Sequence, residues 1–132
     1  MNNKKGEQPF VADESLKNLF APESFETNEV EIASVREMIV NTSKKTLYKT
    51  LRAFYERKET CGSLPNIKVP VLIMVGNEDK ITPPAAAQLM HEKIEDSMLC
   101  TLEHAAHLGN MENPTEFNNQ LEKFVSTVYY SG

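Results

Sequence analysis

The chain has 132 residues, a length typical of one folded domain, and its 40% hydrophobic and 25% charged residues exclude wholesale disorder. Its net charge of −5 disfavours a general binder of nucleic acids or of anionic membranes, because such proteins are more often basic. The longest apolar run, 69–75, is interrupted by Pro70 and is far shorter than the roughly 20 residues that span a bilayer.

The N-terminal part of the sequence predicts a tail followed by a short helix. Residues 1–12 are mostly polar and predict a weakly ordered tail. A small apolar set between Ser15 and Phe20 predicts one or two helical turns, and Pro22 ends them.

Two longer helices are predicted next. Asn28 and Glu31 have the spacing of a capping box, in which each side chain bonds the backbone beside the other, and this helix should end near Asn41. Thr42 or Ser43 can start the following helix. Its apolar residues recur at i, i+4, i+7 and i+8, which places them on one helical face: Leu47, Leu51, Phe54 and Tyr55.

After a loop at 61–66, the pattern changes to alternating strands and helices. The run 69–75 is rich in β-branched residues and bounded by Pro and Gly, which predicts a strand buried on both faces. Thr82 followed by Pro83 predicts the start of a helix that runs to about residue 95. The residues of this helix expected to face inward are Ala86, Leu89, Met90 and Ile94.

A second strand, a loop and a last helix complete the predicted unit. The strand covers 98–102, the loop covers 103–113, and Asn113 with Pro114 caps the helix that follows. That helix repeats apolar residues at helical spacing: Phe117, Leu121, Phe124, Val125 and Val128.

An acid and a histidine follow the two predicted strands. A strand, a crossover helix and a second strand normally pair in parallel, so both strands end at the same edge of the sheet. Asp79 follows the first strand and His107 follows the second. A carboxylate beside an imidazole fixes its tautomer, and the two are two-thirds of a nucleophile–His–acid triad in the order used by hydrolases built on open α/β sheets.

Two segments resemble those of the α/β-hydrolases. Residues 69–84, VPVLIMVGNEDKITPP, are similar to the segment that carries the triad acid. Residues 105–114, AAHLGNMENP, are similar to the histidine loop, in a form closest to 3-oxoadipate enol-lactonases and related esterases. The resemblance implies that Asp79 is the triad acid and His107 the base, acting on a small-molecule ester or lactone without a cofactor or metal.

The resemblance also implies the fold class, which is α/β. We expect a partial α/β-hydrolase fold, in which a helical remnant of the cap domain covers 13–62. A β-α-β-α unit with two parallel strands then covers 63–132. Arg52 and Tyr55, on the cap helix, could contact substrate in a complete enzyme, although surface or packing roles are equally open.

The family's nucleophile motif, Gly-x-Ser-x-Gly, cannot occur here, because no two of the five glycines are four residues apart. We therefore expect a C-terminal fragment of a serine hydrolase that is inactive alone. The alternative is a non-catalytic binding or assembly module. In either case exposed sheet edges predict pairing with an N-terminal half or with a second copy, giving a homo-oligomer.

Three further residue assignments follow from the sequence. Glu112 either orients the histidine loop or is a surface acid, and the surface role is the expectation. His104 with His107 could form a metal pair, but no third ligand is evident, so no metal site is predicted. Cys61 and Cys100 are too few for a disulfide framework, which points to the cytoplasm.

Overall fold

The computed structural model describes residues 8–130. Its helices and strands, in chain order, are α1 (Gln8–Leu19), α2 (Ser24–Thr27), α3 (Glu29–Asn41), α4 (Lys44–Glu56), β1 (Val71–Gly76), α5 (Pro84–Lys93), β2 (Ser97–Leu102), α6 (Gly109–Glu112) and α7 (Pro114–Tyr130). A helical N-terminal segment is followed by a unit in which strands and helices alternate, which confirms the predicted α/β class.

The two strands pair in parallel over their full lengths, so that Gly76 lies opposite Leu102 at the carboxyl end. Side chains alternate between the faces of a strand, and α5 covers the face that carries Ile73 and Val75. The buried core of this unit is formed by Ile73, Val75, Ala87 and Ile94. Because both strands end at one edge, the loops that follow them lie side by side.

A second core lies between the N-terminal helices and the loop that follows β2. Leu16 and Phe20 of the α1 region pack with Val35 of α3, and all three are buried. Leu108 and Met111, from the histidine loop and α6, pack against this cluster. The helical segment is therefore attached to the loop that carries His107.

The N-terminal helix begins earlier than the sequence predicts. α1 starts at Gln8, and Ala12, assigned to the tail, is completely buried. The prediction of a tail is wrong for 8–12, because packing of α1 on α3 extends the helix beyond its obvious apolar set. The first seven residues of that predicted tail lie outside the described residues.

The two helix caps predicted in this region have different outcomes. Asn28 precedes α3, but its side chain makes no cap hydrogen bond there, and its Nδ2 lies 3.5 Å from the carbonyl oxygens of Met111 and Glu112. The predicted capping box is therefore wrong, because the Asn28 Oδ1 accepts from the Thr27 hydroxyl at 2.8 Å instead of from an amide of α3. Ser43 caps α4 as predicted, with its Oγ accepting from the Thr46 amide at 3.1 Å.

Three details of the C-terminal unit differ from the prediction. α5 begins at Pro84 after Pro83, because the Thr82 hydroxyl bonds Asp79 rather than the helix. Among its four expected inward residues only Ile94 is buried, and Ala86 and Met90 line a groove instead. The predicted loops at 61–66 and 103–113 contain a 3₁₀ helix (Cys61–Asn66) and the one-turn helix α6, respectively.

Helix α4 presents its apolar stripe to solvent. Its four large exposed apolar side chains are Tyr48 (66% exposed), Leu51 (68%), Phe54 (64%) and Tyr55 (92%).

Over the part of the chain that the structure describes, no helix has both the length and the apolar character needed to cross a membrane.

Candidate active site

The loop after β1 leads directly to Asp79. Its backbone is fixed by hydrogen bonds from the Asn77 amide to the Leu102 carbonyl (2.9 Å), the Glu78 amide to the Ala105 carbonyl (3.0 Å) and the Asp79 amide to the Gly76 carbonyl (3.2 Å). These bonds draw the loop after β1 against the loop after β2.

Gly76 is required where the two loops touch. A Cβ built on Gly76 would lie 2.2 Å from the Ala106 carbonyl oxygen and 2.4 Å from that of Ala105. Backbone atoms cannot turn away as a side chain can, so only glycine allows this approach. Gly76 therefore sets how closely the acid loop and the histidine loop come together.

The structure brings Asp79 and His107 into contact, as the order of the strands predicts. Asp79 Oδ2 lies 2.9 Å from His107 Nδ1. Asp79 Oδ1 accepts hydrogen bonds from the amides of Ile81 (2.8 Å) and Thr82 (2.9 Å), and Oδ2 also accepts from the Thr82 hydroxyl (3.0 Å). The acid side chain is only 5% exposed, whereas that of His107 is 33% exposed.

The environment of Asp79 keeps its carboxylate ionised. Burial raises its pKa, but the hydrogen bonds from the Thr82 amide, the His107 ring, the Thr82 hydroxyl and the Ile81 amide together outweigh burial. The pKa of Asp79 consequently lies below its usual value.

An ionised carboxylate only accepts hydrogen bonds, so His107 Nδ1 is the donor in their contact. In the neutral ring Nε2 then carries the lone pair and can accept a proton. A groove of about 470 Å³ extends along β1 to both side chains, and its wall includes Met74, Ala106, Asn110 and Phe117. The arrangement can act as a general base beside an apolar groove.

Glu112 differs from the sequence expectation. It is 8% exposed rather than a surface acid, and its Oε2 accepts from the Ala106 amide at 2.7 Å. Its Oε1 accepts from the Ala21 amide (2.6 Å) and the Ser24 hydroxyl (2.8 Å). The contact with Ala106 agrees with the other role that the sequence left open, in the histidine loop. The contacts with Ala21 and Ser24 have no local sequence signal, because these residues are 91 and 88 positions away.

The other candidate residues do not join this site. His104 bonds Glu23 through Nδ1 at 2.7 Å and is 75% exposed. Among residues 8–130, no three His, Cys, Asp or Glu side chains are grouped so that they could hold a metal ion. Arg52 and Tyr55 are exposed on α4, where Arg52 pairs with Glu56 at 2.7 Å.

A family model and several curated proteins match parts of this chain. The model of the alpha/beta hydrolase fold family matches residues 13–114. A pimeloyl-[acyl-carrier protein] methyl ester esterase of Neisseria meningitidis serogroup A is 34% identical over 73 residues, which are 55% of this chain and 23% of that protein. The 3-oxoadipate enol-lactonase 2 of Acinetobacter baylyi is 41% identical over 59 residues, which are 45% of this chain and 22% of that protein.

Two solved structures superimpose on nearly the whole of this chain. A thermophilic esterase from Thermogutta terrifontis superimposes with a TM-score of 0.87 at 26% identity, covering 95% of this chain and 46% of that one. The enol-lactonase from Burkholderia xenovorans LB400 gives 0.84 at 25% identity, covering 92% and 46%. This chain thus spans just under half the length of both. From the fold and the family match, the chain belongs to the α/β hydrolase fold family.

Proposed function

We propose that this chain is the C-terminal part of a serine hydrolase that cleaves a carboxylic ester or a lactone, with His107 as the base and Asp79 as the acid. The observation that carries the proposal is the 2.9 Å contact between Asp79 Oδ2 and His107 Nδ1 beside an apolar groove. Similarity to esterases and an enol-lactonase supports the substrate class.

In this proposal the nucleophilic serine comes from polypeptide outside the 132 residues. His107 Nε2 takes the proton from the serine hydroxyl as its oxygen bonds the carbonyl carbon, and then gives that proton to the departing alkoxide. His107 next takes a proton from a water molecule as the water oxygen bonds the acyl carbon, and it returns that proton to the serine oxygen as the acyl–serine bond breaks, which releases the acid. Asp79, ionised and buried, holds the ring and stabilises its protonated form throughout.

The chain by itself should then have no serine-hydrolase activity. Base and acid without a nucleophile retain little of a triad's effect, because the members of a triad act as a unit. Activity requires a segment that supplies the Gly-x-Ser-x-Gly turn and the donors for the oxyanion.

A chromogenic ester such as p-nitrophenyl butyrate tests the proposal. The chain should be inactive alone and active when combined with an N-terminal hydrolase segment that carries the serine. His107→Ala should abolish this activity and Asp79→Asn should reduce it by about 10⁴-fold. The control, His91→Ala on α5, should leave the activity unchanged. Activity of the isolated chain that survives His107→Ala would contradict the assignment.

A second candidate function is non-catalytic assembly, which the sheet supports. Among residues 8–130, β1 pairs with β2 alone, so its other edge has unpaired backbone groups along the groove. Association through this edge predicts oligomers by light scattering. Leu72→Lys on β1 should dissociate them, and Leu89→Lys on the exposed surface of α5 should not. A folded monomer at all concentrations would refute self-assembly.

We also propose that the protein works in the cytoplasm. Both cysteines, Cys61 and Cys100, are free thiols, which fits a reducing compartment. Fractionation of cells that express the tagged protein tests this, and recovery outside the cytoplasmic fraction would contradict it.

A further inference from the structure

Glu112 is a buried carboxylate that the proposed triad does not use. Its two oxygens accept three hydrogen bonds of 2.6–2.8 Å, from the Ala21 amide, the Ser24 hydroxyl and the Ala106 amide. Bonds to an ionised acceptor are the strong ones, and here they lie away from water. A charged group so fully bonded holds its donors in fixed positions.

These donors belong to two distant parts of the chain. Ala21 and Ser24 lie between α1 and α3, whereas Ala106 immediately precedes His107. A second contact reinforces the link, since the Leu19 carbonyl accepts from the His107 amide at 3.0 Å and from the Leu108 amide at 3.3 Å. The backbone on both sides of the His107 side chain is thus tied to the N-terminal helices.

We propose that Glu112 is a positioning residue, which fixes the His107 loop on the N-terminal helices so that the His107 ring keeps Nδ1 on Asp79. The inference rests on the proposed function, in which His107 is the base. It also gives the N-terminal helices a direct part in the geometry of the site.

The chemistry of the link requires a carboxylate. Glutamine has the same shape, but it offers one acceptor oxygen and one amide group that only donates. In Glu112→Gln that NH₂ must face either the Ala106 amide or the Ala21 and Ser24 donors. On that side, two hydrogen-bond donors would then face each other, and the hydrogen bond found there with Glu112 would be lost.

The experiment uses nuclear magnetic resonance of the labelled chain. In the unaltered protein the amide hydrogens of Ala21, Ala106 and His107 should exchange with solvent slowly and should be protected to a similar degree. In Glu112→Gln they should exchange about tenfold faster or more, and the share of His107 rings with the proton on Nδ1 should fall. Ring nitrogen shifts measure that share.

Two controls separate positioning from general effects. Glu122→Gln makes the same chemical change at an exposed site of α7, and Ile94→Val weakens the core beneath the sheet. Both should leave the His107 ring signals unchanged, although Ile94→Val lowers the unfolding temperature. A folded Glu112→Gln protein with unaltered ring signals would overturn the proposal.

Two further outcomes are decisive. If Glu112→Gln does not fold, exchange in the unaltered chain decides: joint protection of the three amides supports the link, and rapid exchange of Ala106 overturns it. Asp79→Asn tests the proposed function separately. Ring signals that are insensitive to Asp79→Asn would refute the acid–base pair itself, whereas sensitivity to Asp79→Asn but not to Glu112→Gln refutes positioning alone.

Discussion

Gly76→Ala should destabilise the protein by pushing the two site loops apart. The added Cβ would lie 2.2 Å from the Ala106 carbonyl oxygen, and Cβ contacts under 3.0 Å essentially do not occur, so the loop must retreat by at least 0.8 Å, the difference. Overpacking costs about 1–3 kcal/mol. Stretching the 3.0 Å bond from the Glu78 amide to the Ala105 carbonyl adds about 1 kcal/mol. We expect a total loss of about 3 kcal/mol.

Urea unfolding followed by circular dichroism measures this loss against two other glycines. Gly62 has no atom within 4 Å of a built Cβ, so Gly62→Ala should be neutral or stabilising by up to about 1 kcal/mol. At Gly109 the Cβ would meet the end of the Leu102 side chain at 2.7 Å, which can turn, so about 1 kcal/mol should be lost. Equal stability of the Gly76→Ala and Gly62→Ala proteins would refute the reasoning.

Three further predictions concern the acid and the N-terminal helices. Because the pKa of Asp79 lies below its usual 3.8, its stabilising contribution is present above pH 3.8 and is lost as the pH falls through the folded value. In urea unfolding, the stability lost in Asp79→Asn should therefore be constant above pH 3.8 and shrink only below it; a loss that does not change below pH 3.8 would contradict the lowered pKa. Thr82→Val removes the hydroxyl that donates to Asp79 and should cost about 1 kcal/mol at neutral pH in the same assay, and a neutral effect would contradict that contact. Phe20→Ala, at 2% exposure, should cost about 3–5 kcal/mol by thermal unfolding, while Phe54→Ala, at 64%, should stay within about 0.5 kcal/mol, and similar losses would show that the core beside the histidine loop is wrongly assigned.

The C-terminal unit could be predicted from sequence because its signals are local. An apolar β-branched run between Pro70 and Gly76 marks a strand, and Asn113 with Pro114 marks the start of the last helix. The rule that such strands pair in parallel then places the loops of Asp79 and His107 side by side. That juxtaposition needs no knowledge of the rest of the molecule.

Other features depend on partners far away in the chain and could not be predicted. Ala12 is buried because α1 packs on α3, and the Asn28 Nδ2 lies near the carbonyl oxygens of Met111 and Glu112. Glu112 looks like a surface acid beside a helix start, yet the donors that bury it come from Ala21 and Ser24. Periodicity and capping patterns carry no information about such contacts.

The N-terminal helices differ in how they pack. α1 and α3 share a core with Leu108 and Met111, and so belong structurally with the histidine loop. α4 has no buried residue, and a 13-residue helix with its apolar stripe in water is only marginally stable by itself. On the proposed function, a segment that carries the serine could pack on the exposed face of α4. Such packing would complete the triad and stabilise α4 together, whereas α1 and α3 already pack against the loop that carries His107.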